Sequence, residues 1–306
     1  MSVTVARSLD EALASLARVP NALVLAGGTD AMVEINFGHR RPQHVVAVDR
    51  VPELGRWQRD GSRLRIGAGV TYAALEAPPF SVLVPALAHA ARTVGSPQIR
   101  NAGTIGGNVA MASPAGDTLP VLAALDATIE LHRVGEVRLV PWHEFFIGPK
   151  KTSRRDDELV VAVHVPVRRG PQSFLKVGTR NAMVIAVASV CLAVDLDERT
   201  VRCGLGAVGP VPLRARDAEA WVVDQLVWHR DTVRAEDASL SRKFGRMVGD
   251  AARPIDDHRG TAAFRRHAIA VCAERALDRA FEGGGHGPSG LQSGQHGPSG
   301  LQSGQL

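Results

Sequence analysis

The chain has 306 residues, a length typical of about two domains. Hydrophobic residues make up 45% and charged residues 22%, which is an ordinary globular composition. The sequence has no apolar run long enough to cross a bilayer, and its start, MSVTVARSLDEAL, lacks the apolar core of a secretory signal. We therefore predict a soluble, cytoplasmic protein without a membrane span.

The net charge of +5 raises the question of nucleic-acid binding. The 32 Arg and 4 Lys residues are scattered among acids, as in RRDDE, and only 13 aromatic side chains are present to stack on bases. We expect no nucleic-acid partner.

Cys191, Cys203 and Cys272 are widely spaced in apolar surroundings, and the histidines show no metal-ligand spacing. We predict buried thiols and no metal or iron–sulfur site in this chain.

The first half of the chain shows alternating helix and strand patterns. Ser8, with Glu11 three residues later, predicts a capped helix over 8–20. The next predicted elements are a buried strand over 22–28, a helix over 31–38, a buried strand over 43–51, a strand from 63 that turns helical after Thr71, and a helix over 82–95. From 104 we predict a glycine turn, a helix over 118–127, and strands over 128–133, 135–141 and 158–167.

The pattern changes after residue 167. The runs SFLKVGTR, VIAVASVCLAVDL and TVRCGLGAVG predict three strands of an antiparallel meander, the middle run being also compatible with a helix. Charged helical segments follow, and the last predicted helix covers 260–282. Residues 283–306 contain the unit HGPSGLQSGQ twice, a composition that predicts a disordered tail. The alternative for this tail is a repeated partner-binding peptide.

Two glycine pairs have similar flanking residues. The apolar strand ALVLA runs into Gly27-Gly28-Thr29-Asp30, and RNAG runs into Thr104-Ile105-Gly106-Gly107-Asn108. Glycine permits positive φ and close approach of a ligand to the backbone, and successive N–H groups or a helix start bind anions. Two such segments could hold the two phosphates of a dinucleotide. The alternative is that both pairs are simply tight turns.

Three further features each have two interpretations. Asp117 is either a helix N-cap or an acceptor for ribose or adenine hydrogens. Lys176 and Arg180, taken as lying on one face of a strand, are either solvated edge charges or, for Lys176, a cation that reaches a flavin or its phosphates. The motif G-x-G-x-x-G at 204–209 is followed by prolines instead of a helix, so we predict a glycine-rich strand packed on a helix and not a nucleotide site.

A set of motifs in fixed order resembles a known family. The set comprises AGGTD at 26–30, RNAGTIGGNVAMASPAGDTLPVLAALDA at 100–127, FFIGPKKT at 145–152, ELVVAVHVP at 158–166, FLKVGTR at 174–180 and PIDDHRGTAAFRRH at 254–267. It is similar to the FAD-binding, medium subunit of the molybdenum hydroxylases, the family of xanthine dehydrogenase and carbon monoxide dehydrogenase. The likeness runs from about residue 1 to residue 282.

The resemblance implies an α+β fold with two domains. Residues 1–170 would form an FAD-binding domain related to the vanillyl-alcohol oxidase flavoproteins, with two subdomains split near 55. Residues 171–282 would form a C-terminal domain with a three-stranded antiparallel sheet and helices. The tail, 283–306, lies outside the likeness.

The resemblance also implies the cofactor contacts. Those in the two loops are Val24, Leu25, Ala26, Gly27, Gly28, Thr29, Asp30, Ala31, Thr104, Ile105, Gly106, Gly107 and Asn108. Asp117, Val160 and Lys176 match further contacts, and Val94 lies where some relatives carry an aromatic residue. Residues 181–184, NAMV, replace an acidic run of animal xanthine dehydrogenases, so the electron acceptor is not carried over. No side chain is assigned a catalytic role.

The partners follow from the same resemblance. A large subunit would hold molybdopterin, and a small subunit would pass electrons through two [2Fe–2S] clusters to FAD on this chain. FAD would deliver them to NAD⁺, oxygen, a quinone or another acceptor, in a dimer of heterotrimers. Two other hypotheses stay open: a stand-alone FAD-dependent oxidoreductase, and a non-catalytic flavin-binding assembly protein.

Overall fold

A computed structural model describes residues 1–19 and 21–282. It begins with a parallel sheet in the order β1-β3-β2, whose strands are β1 (Ser2–Val5), β2 (Leu23–Leu25) and β3 (His44–Ala47). The helices of this part are α1 (Leu9–Arg18) and α2 (Ala31–Asn36). The predicted cap of α1 is confirmed, because Ser8 accepts a hydrogen bond from the Glu11 backbone. The Glu11 carboxylate, however, accepts a hydrogen bond from the backbone N–H of Arg7.

An antiparallel sheet in the order β4-β5-β10-β6-β7 follows. Its strands are β4 (Trp57–Asp60), β5 (Arg63–Gly67), β6 (Thr128–Arg133), β7 (Glu136–Pro141) and β10 (Leu159–Pro166), with the hairpin strands β8 (Phe146–Gly148) and β9 (Lys151–Thr152) before β10. A 3-10 turn, Pro52–Gly55, connects the two sheets along the chain. The helices are α3 (Tyr72–Leu75), α4 (Phe80–Leu83), α5 (Pro85–Arg92), α6 (Pro97–Ala102), α7 (Ile105–Met111), α8 (Leu119–Ala124) and α9 (Trp142–Phe145).

The C-terminal part carries a sheet in the order β11-β12-β13-β14. The strands are β11 (Gln172–Val177), β12 (Ala188–Asp195), β13 (Thr200–Gly206) and β14 (Leu213–Arg214), and a separate hairpin is formed by β15 (Leu226–Trp228) and β16 (Val233–Ala235). The helices are α10 (Arg216–Val223), α11 (Leu240–Ala251) and α12 (Ala262–Glu282). The prediction of three strands missed β14, because a two-residue strand has no periodic pattern to detect.

Strand β12 explains why its sequence was ambiguous. Both of its faces are buried. On one face, Cys191 and Ala193 belong to the core that contains the sheet β4-β5-β10-β6-β7. On the other face, Val190, Leu192 and Val194 belong to the core of the C-terminal part. A strand buried on both faces reads as an unbroken apolar run and does not alternate. The run begins as a strand only at Ala188, so the preceding residues of the predicted strand are not part of it.

The first half of the glycine-rich motif at 204–209 lies in β13, as predicted, and the strand ends at Gly206. A Cβ atom on Gly204 would lie 2.0 Å from the carbonyl oxygen of Pro120, so this glycine lets β13 approach α8.

The cysteines are free and buried, which confirms the prediction of core thiols. Within the described ranges, no helix combines the length and apolar character needed to cross a membrane. The predicted tail, 283–306, lies outside the described residues.

Candidate functional site

A cavity of about 1020 Å³ is lined by segments from both N-terminal sheets. Most of the cofactor contacts implied by the sequence meet here: Val24, Leu25, Ala26, Gly27, Gly28, Thr29, Asp30, Ala31, Thr104, Gly106, Gly107, Asn108 and Val160. Val94, Ile105, Asp117 and Lys176 lie outside this lining. The structure thus brings together two segments that are about 75 residues apart in the sequence.

The first glycine segment follows β2 and has its N–H groups free. The backbone N–H groups of residues 27–31 have no hydrogen-bond acceptor within the described chain, and Met32 is the first to donate back, to the carbonyl of Gly28. Gly28 has φ +71°, a conformation that a side chain disfavours. Consecutive free N–H groups lining a cavity form a concave anion-binding surface. The segment is therefore suited to a phosphate.

The second glycine segment is not the predicted turn but the first turn of α7. Thr104 is the N-cap, and its Oγ1 accepts the N–H of Gly107 at 3.0 Å. The N–H groups of Ile105 and Gly106 donate to backbone carbonyls of Val70 and Ala68, at 3.0 and 2.9 Å. Most N–H groups of this segment are thus already bound within the protein, unlike those of the first.

The glycines have different structural roles. A Cβ on Gly27 would lie 1.7 Å from the carbonyl oxygen of Ala102, and one on Gly106 would lie 2.4 Å from Cβ of Ala68. These two glycines permit close contact between protein segments. A Cβ on Gly107 would meet only Thr104 Oγ1, at 3.2 Å. Because Gly107 lines the cavity, its missing side chain leaves room for a ligand there.

Lys176 and Asp117 form a buried ion pair that joins β11 to the loop before α8. Lys176 Nζ donates to Asp117 Oδ2 at 2.6 Å and to the carbonyl of Thr93 at 3.2 Å. The side chains are 8% and 6% exposed, so Lys176 is not a solvated edge charge. Burial raises the pKa of Asp117, although Lys176 and Thr93 act in the opposite direction. Asp117 Oδ1 is buried without a hydrogen-bond partner in the described residues.

Two of the alternatives for these residues are now decided. The N-cap of α8 is Thr118, so Asp117 is not that cap. Arg180 lies beyond the end of β11, where its guanidinium donates to the carbonyls of Ala182 and Met183. The prediction that Lys176 and Arg180 share a strand face is therefore wrong, because the strand ends at Val177.

The cavity also has a charged wall that the sequence did not reveal. Glu34 and Lys150 form an ion pair of 2.8 Å, which holds the pKa of Glu34 below its usual value. Burial, followed by the charge of Glu34, raises the pKa of Asp30. Arg154 donates to the carbonyl of Glu158 at 2.6 Å, and burial lowers its pKa. Asp30 is one of the predicted contacts, whereas no local motif marks Glu34 or Arg154, because they come from α2 and the loop before β10.

The donor set suits an anionic ligand better than a metal. Among the described residues there is no cluster of three or more His, Cys, Asp or Glu side chains that could hold a metal ion. The free N–H groups of 27–31 and the open space beside Gly107 suit a diphosphate, and a cavity of about 1020 Å³ has room for a nucleotide. The α+β fold and this donor set are therefore suited to a nucleotide-binding protein.

Comparison with known proteins identifies the family. Residues 1–168 match the FAD binding domain in molybdopterin dehydrogenase, and residues 173–280 match the CO dehydrogenase flavoprotein C-terminal domain. The chain therefore belongs to the family of FAD-binding medium subunits of the molybdenum hydroxylases. This confirms the sequence resemblance, the α+β fold, FAD as the cofactor and the oxidoreductase class.

Individual relatives span nearly the whole chain. The glyceraldehyde dehydrogenase medium chain of Sulfolobus acidocaldarius is 33% identical, over 89% of this chain and 95% of the relative. The xanthine dehydrogenase FAD-binding subunit of Escherichia coli O157:H7 is 30% identical, over 92% and 96%. A chain of carbon monoxide dehydrogenase from Hydrogenophaga pseudoflava, in a form lacking the Mo-pyranopterin moiety, superimposes with a TM-score of 0.83 at 27% identity, covering 92% of this chain and 97% of that one.

Proposed function

We propose that this chain holds FAD in the cavity, takes electrons from [2Fe–2S] clusters of a partner subunit and passes them to an external acceptor. The observation that carries the proposal is the free N–H groups of residues 27–31 in the same cavity as the open space beside Gly107. When bound, FAD supplies the redox chemistry, and the protein supplies binding and electrostatics.

The N–H groups of residues 27–31 would bind one phosphate, and the start of α7 at Gly107 would lie against the other. Val24 to Ala26 and Val160 would provide apolar wall. The buried Lys176–Asp117 pair lies outside this lining, and Asp117 Oδ1 is sealed from solvent, so we propose that the pair supports the site through the loop before α8. Val94 and Ile105 would pack behind the residues that line the cavity. Ile105 is fully buried, and Val94 packs against the same core.

The proposed complex contains a large molybdopterin subunit and a small subunit with two [2Fe–2S] clusters, as a cytoplasmic dimer of heterotrimers. Relatives are named as medium chains or FAD-binding subunits, which supports the existence of other subunits. We propose the domain division 1–170 and 171–282, with the first domain split near 55. This division agrees with the change from the antiparallel sheet to the C-terminal sheet.

Purification of the native complex tests the proposal. We expect two copurifying subunits, flavin equimolar with this chain, and molybdenum, iron and sulfide in the complex. An electron donor that reduces the clusters of the complex but not the flavin of the isolated chain should bleach the flavin absorbance of the complex, which should return when an acceptor is added. A yellow chain that turns over substrate without partners would instead support the stand-alone oxidoreductase. Bound flavin that the reduced clusters do not bleach would support the assembly protein.

A further inference from the structure

Tyr72 is a cavity residue that the sequence did not reveal. It is the first residue of α3 and the single tyrosine of the 306-residue chain. The residue is 5% exposed, yet it belongs to the lining of the cavity. An aromatic side chain that is nearly buried and still borders a ligand cavity contributes a rigid surface with a polar end.

The ring of Tyr72 is held by the segment that leads into α7. The backbone N–H of Tyr72 donates to the carbonyl of Gly103 at 3.0 Å. A Cβ on Gly103 would lie 2.8 Å from Cε2 of the Tyr72 ring, so the ring lies directly against the backbone there. Next to this contact, Thr71, the N-cap of α3, forms an isolated antiparallel β-bridge with Thr104. The position of the ring is thus coupled to the start of α7.

The hydroxyl of Tyr72 is the part without an internal partner. No residue of 1–19 or 21–282 forms a hydrogen bond with it, and it is not among the buried polar atoms sealed from solvent. The exposed 5% of the residue therefore includes the hydroxyl oxygen, and Tyr72 borders the cavity. Burial, together with the charges of Asp30 and Asp117, raises the pKa of Tyr72, so the hydroxyl stays protonated and acts as a donor.

We propose that Tyr72 is a further cofactor-binding residue, whose hydroxyl donates a hydrogen bond to an acceptor atom of FAD. The inference rests on the proposed function, because it requires FAD in this cavity. A neutral donor suits this place, since the neighbouring carboxylates Asp30 and Asp117 would repel an anionic side chain. The rigid ring brings the donor to the ligand at low entropic cost, as tyrosine does at other binding sites.

The single tyrosine permits a direct test on the full chain. Protein labelled with 3-fluorotyrosine gives one ¹⁹F resonance, which is recorded without flavin and with FAD at saturation. We expect a clear change in chemical shift on addition of FAD. The Tyr72→Phe variant keeps the ring and removes the hydroxyl, and its Kd for FAD should rise about three- to tenfold, the range for one lost hydrogen bond. Ser239→Ala, which removes a hydroxyl at the start of α11, should leave that Kd unchanged.

The outcomes separate this inference from the proposed function. If the wild-type chain binds FAD but the ¹⁹F resonance does not move and Tyr72→Phe binds FAD equally well, the role of Tyr72 is overturned and the cavity assignment stands. If the wild-type chain binds no FAD, both fall. Should Tyr72→Phe fail to fold, as shown by circular dichroism, a ¹⁹F resonance of the wild-type chain that does not move on FAD binding would still overturn the inference.

Discussion

The two glycine pairs look alike in sequence and differ in structure. At Gly27-Gly28 the chain turns after a strand, and the following N–H groups have no partner in the described residues. At Gly106-Gly107 the chain is already helical, and the N–H groups are bound by Thr104 and by backbone carbonyls. The first pair can supply donors to an anion without rearrangement. The second supplies mainly space.

A glycine can be required either for packing of the protein or for binding of the ligand. Gly27 and Gly106 touch other backbone segments, so their absent side chains serve folding. Gly107 borders the cavity and touches almost nothing else, so its absent side chain serves binding. Substitutions at these glycines should therefore change either the free energy of unfolding or the FAD affinity, depending on the position.

The largest effect is expected for Gly27→Ala. The new Cβ would lie 1.7 Å from the carbonyl oxygen of Ala102, so one backbone segment has to move. We expect the free energy of unfolding to fall by about 3 kcal/mol or more, at the upper end of overpacking effects. Urea unfolding followed by circular dichroism measures this.

Gly28→Ala is the matched control for Gly27→Ala. Its Cβ would meet a flexible atom, Cγ of Met32, at 3.2 Å, and the cost is mainly the positive φ. We expect a loss of about 1 kcal/mol. Equal losses in the two variants would contradict the close approach of Gly27 to Ala102.

The next effect concerns binding alone. Gly107→Val places a side chain in the cavity, while its Cβ meets only Thr104 Oγ1. Valine is no worse than glycine inside a helix, so the urea midpoint should stay near that of the wild type. We expect FAD affinity to fall about tenfold or more, a cost of about 1.4 kcal/mol. Flavin absorbance per protein after gel filtration measures it, with Gly107→Ala as the intermediate variant. Full flavin occupancy in Gly107→Val would contradict the placement of the cofactor beside α7.

Much of this site is readable from the sequence because local rules determine it. A glycine pair flanked by Thr, Asn or Asp is a short-range feature, and both segments were found by it, although the second is a helix start and not the predicted turn. Tyr72, Glu34 and Arg154 were missed because they meet only through the folded chain, at separations that no spacing rule covers. Arg180 was misplaced for a different reason: the strand ends at Val177, and Gly178, which follows it, was read as part of the strand.

A smaller effect is expected at the cap of α7. Thr104→Ala removes the acceptor of the Gly107 N–H, which should cost about 1 kcal/mol of stability without flavin. With FAD bound, a phosphate oxygen would accept the same N–H, so the loss should shrink. Thr104→Ser keeps an oxygen there and serves as the matched control. Thermal unfolding of the three proteins with and without FAD measures the difference. A loss that is unchanged by FAD would show that α7 does not contact the diphosphate.

The smallest expected effect is a pH dependence that belongs to the first segment alone. Burial and the charge of Glu34 raise the pKa of Asp30 above its ordinary value. A diphosphate bound beside it disfavours the ionised carboxylate, so FAD should bind better when Asp30 is protonated. Affinity should therefore fall about three- to tenfold as the pH rises through the pKa of Asp30, and stay constant above it.

Isothermal titration of FAD at a series of pH values from about 4.5 upward tests this dependence, since an unperturbed aspartate titrates near 3.9. Asp30→Asn should remove the slope, because the amide does not titrate. Glu34→Gln is the control: the ion pair with Lys150 keeps the pKa of Glu34 low, so its own titration lies below this range and most of the slope should persist. A slope that persists in Asp30→Asn would assign the titration to the second segment or to the ligand. Loss of the slope only in Asp30→Asn would show that the carboxylate of Asp30 and the free N–H groups of 27–31 act at the same phosphate. The start of α7 has no such pairing, because its N–H groups are already bound within the protein.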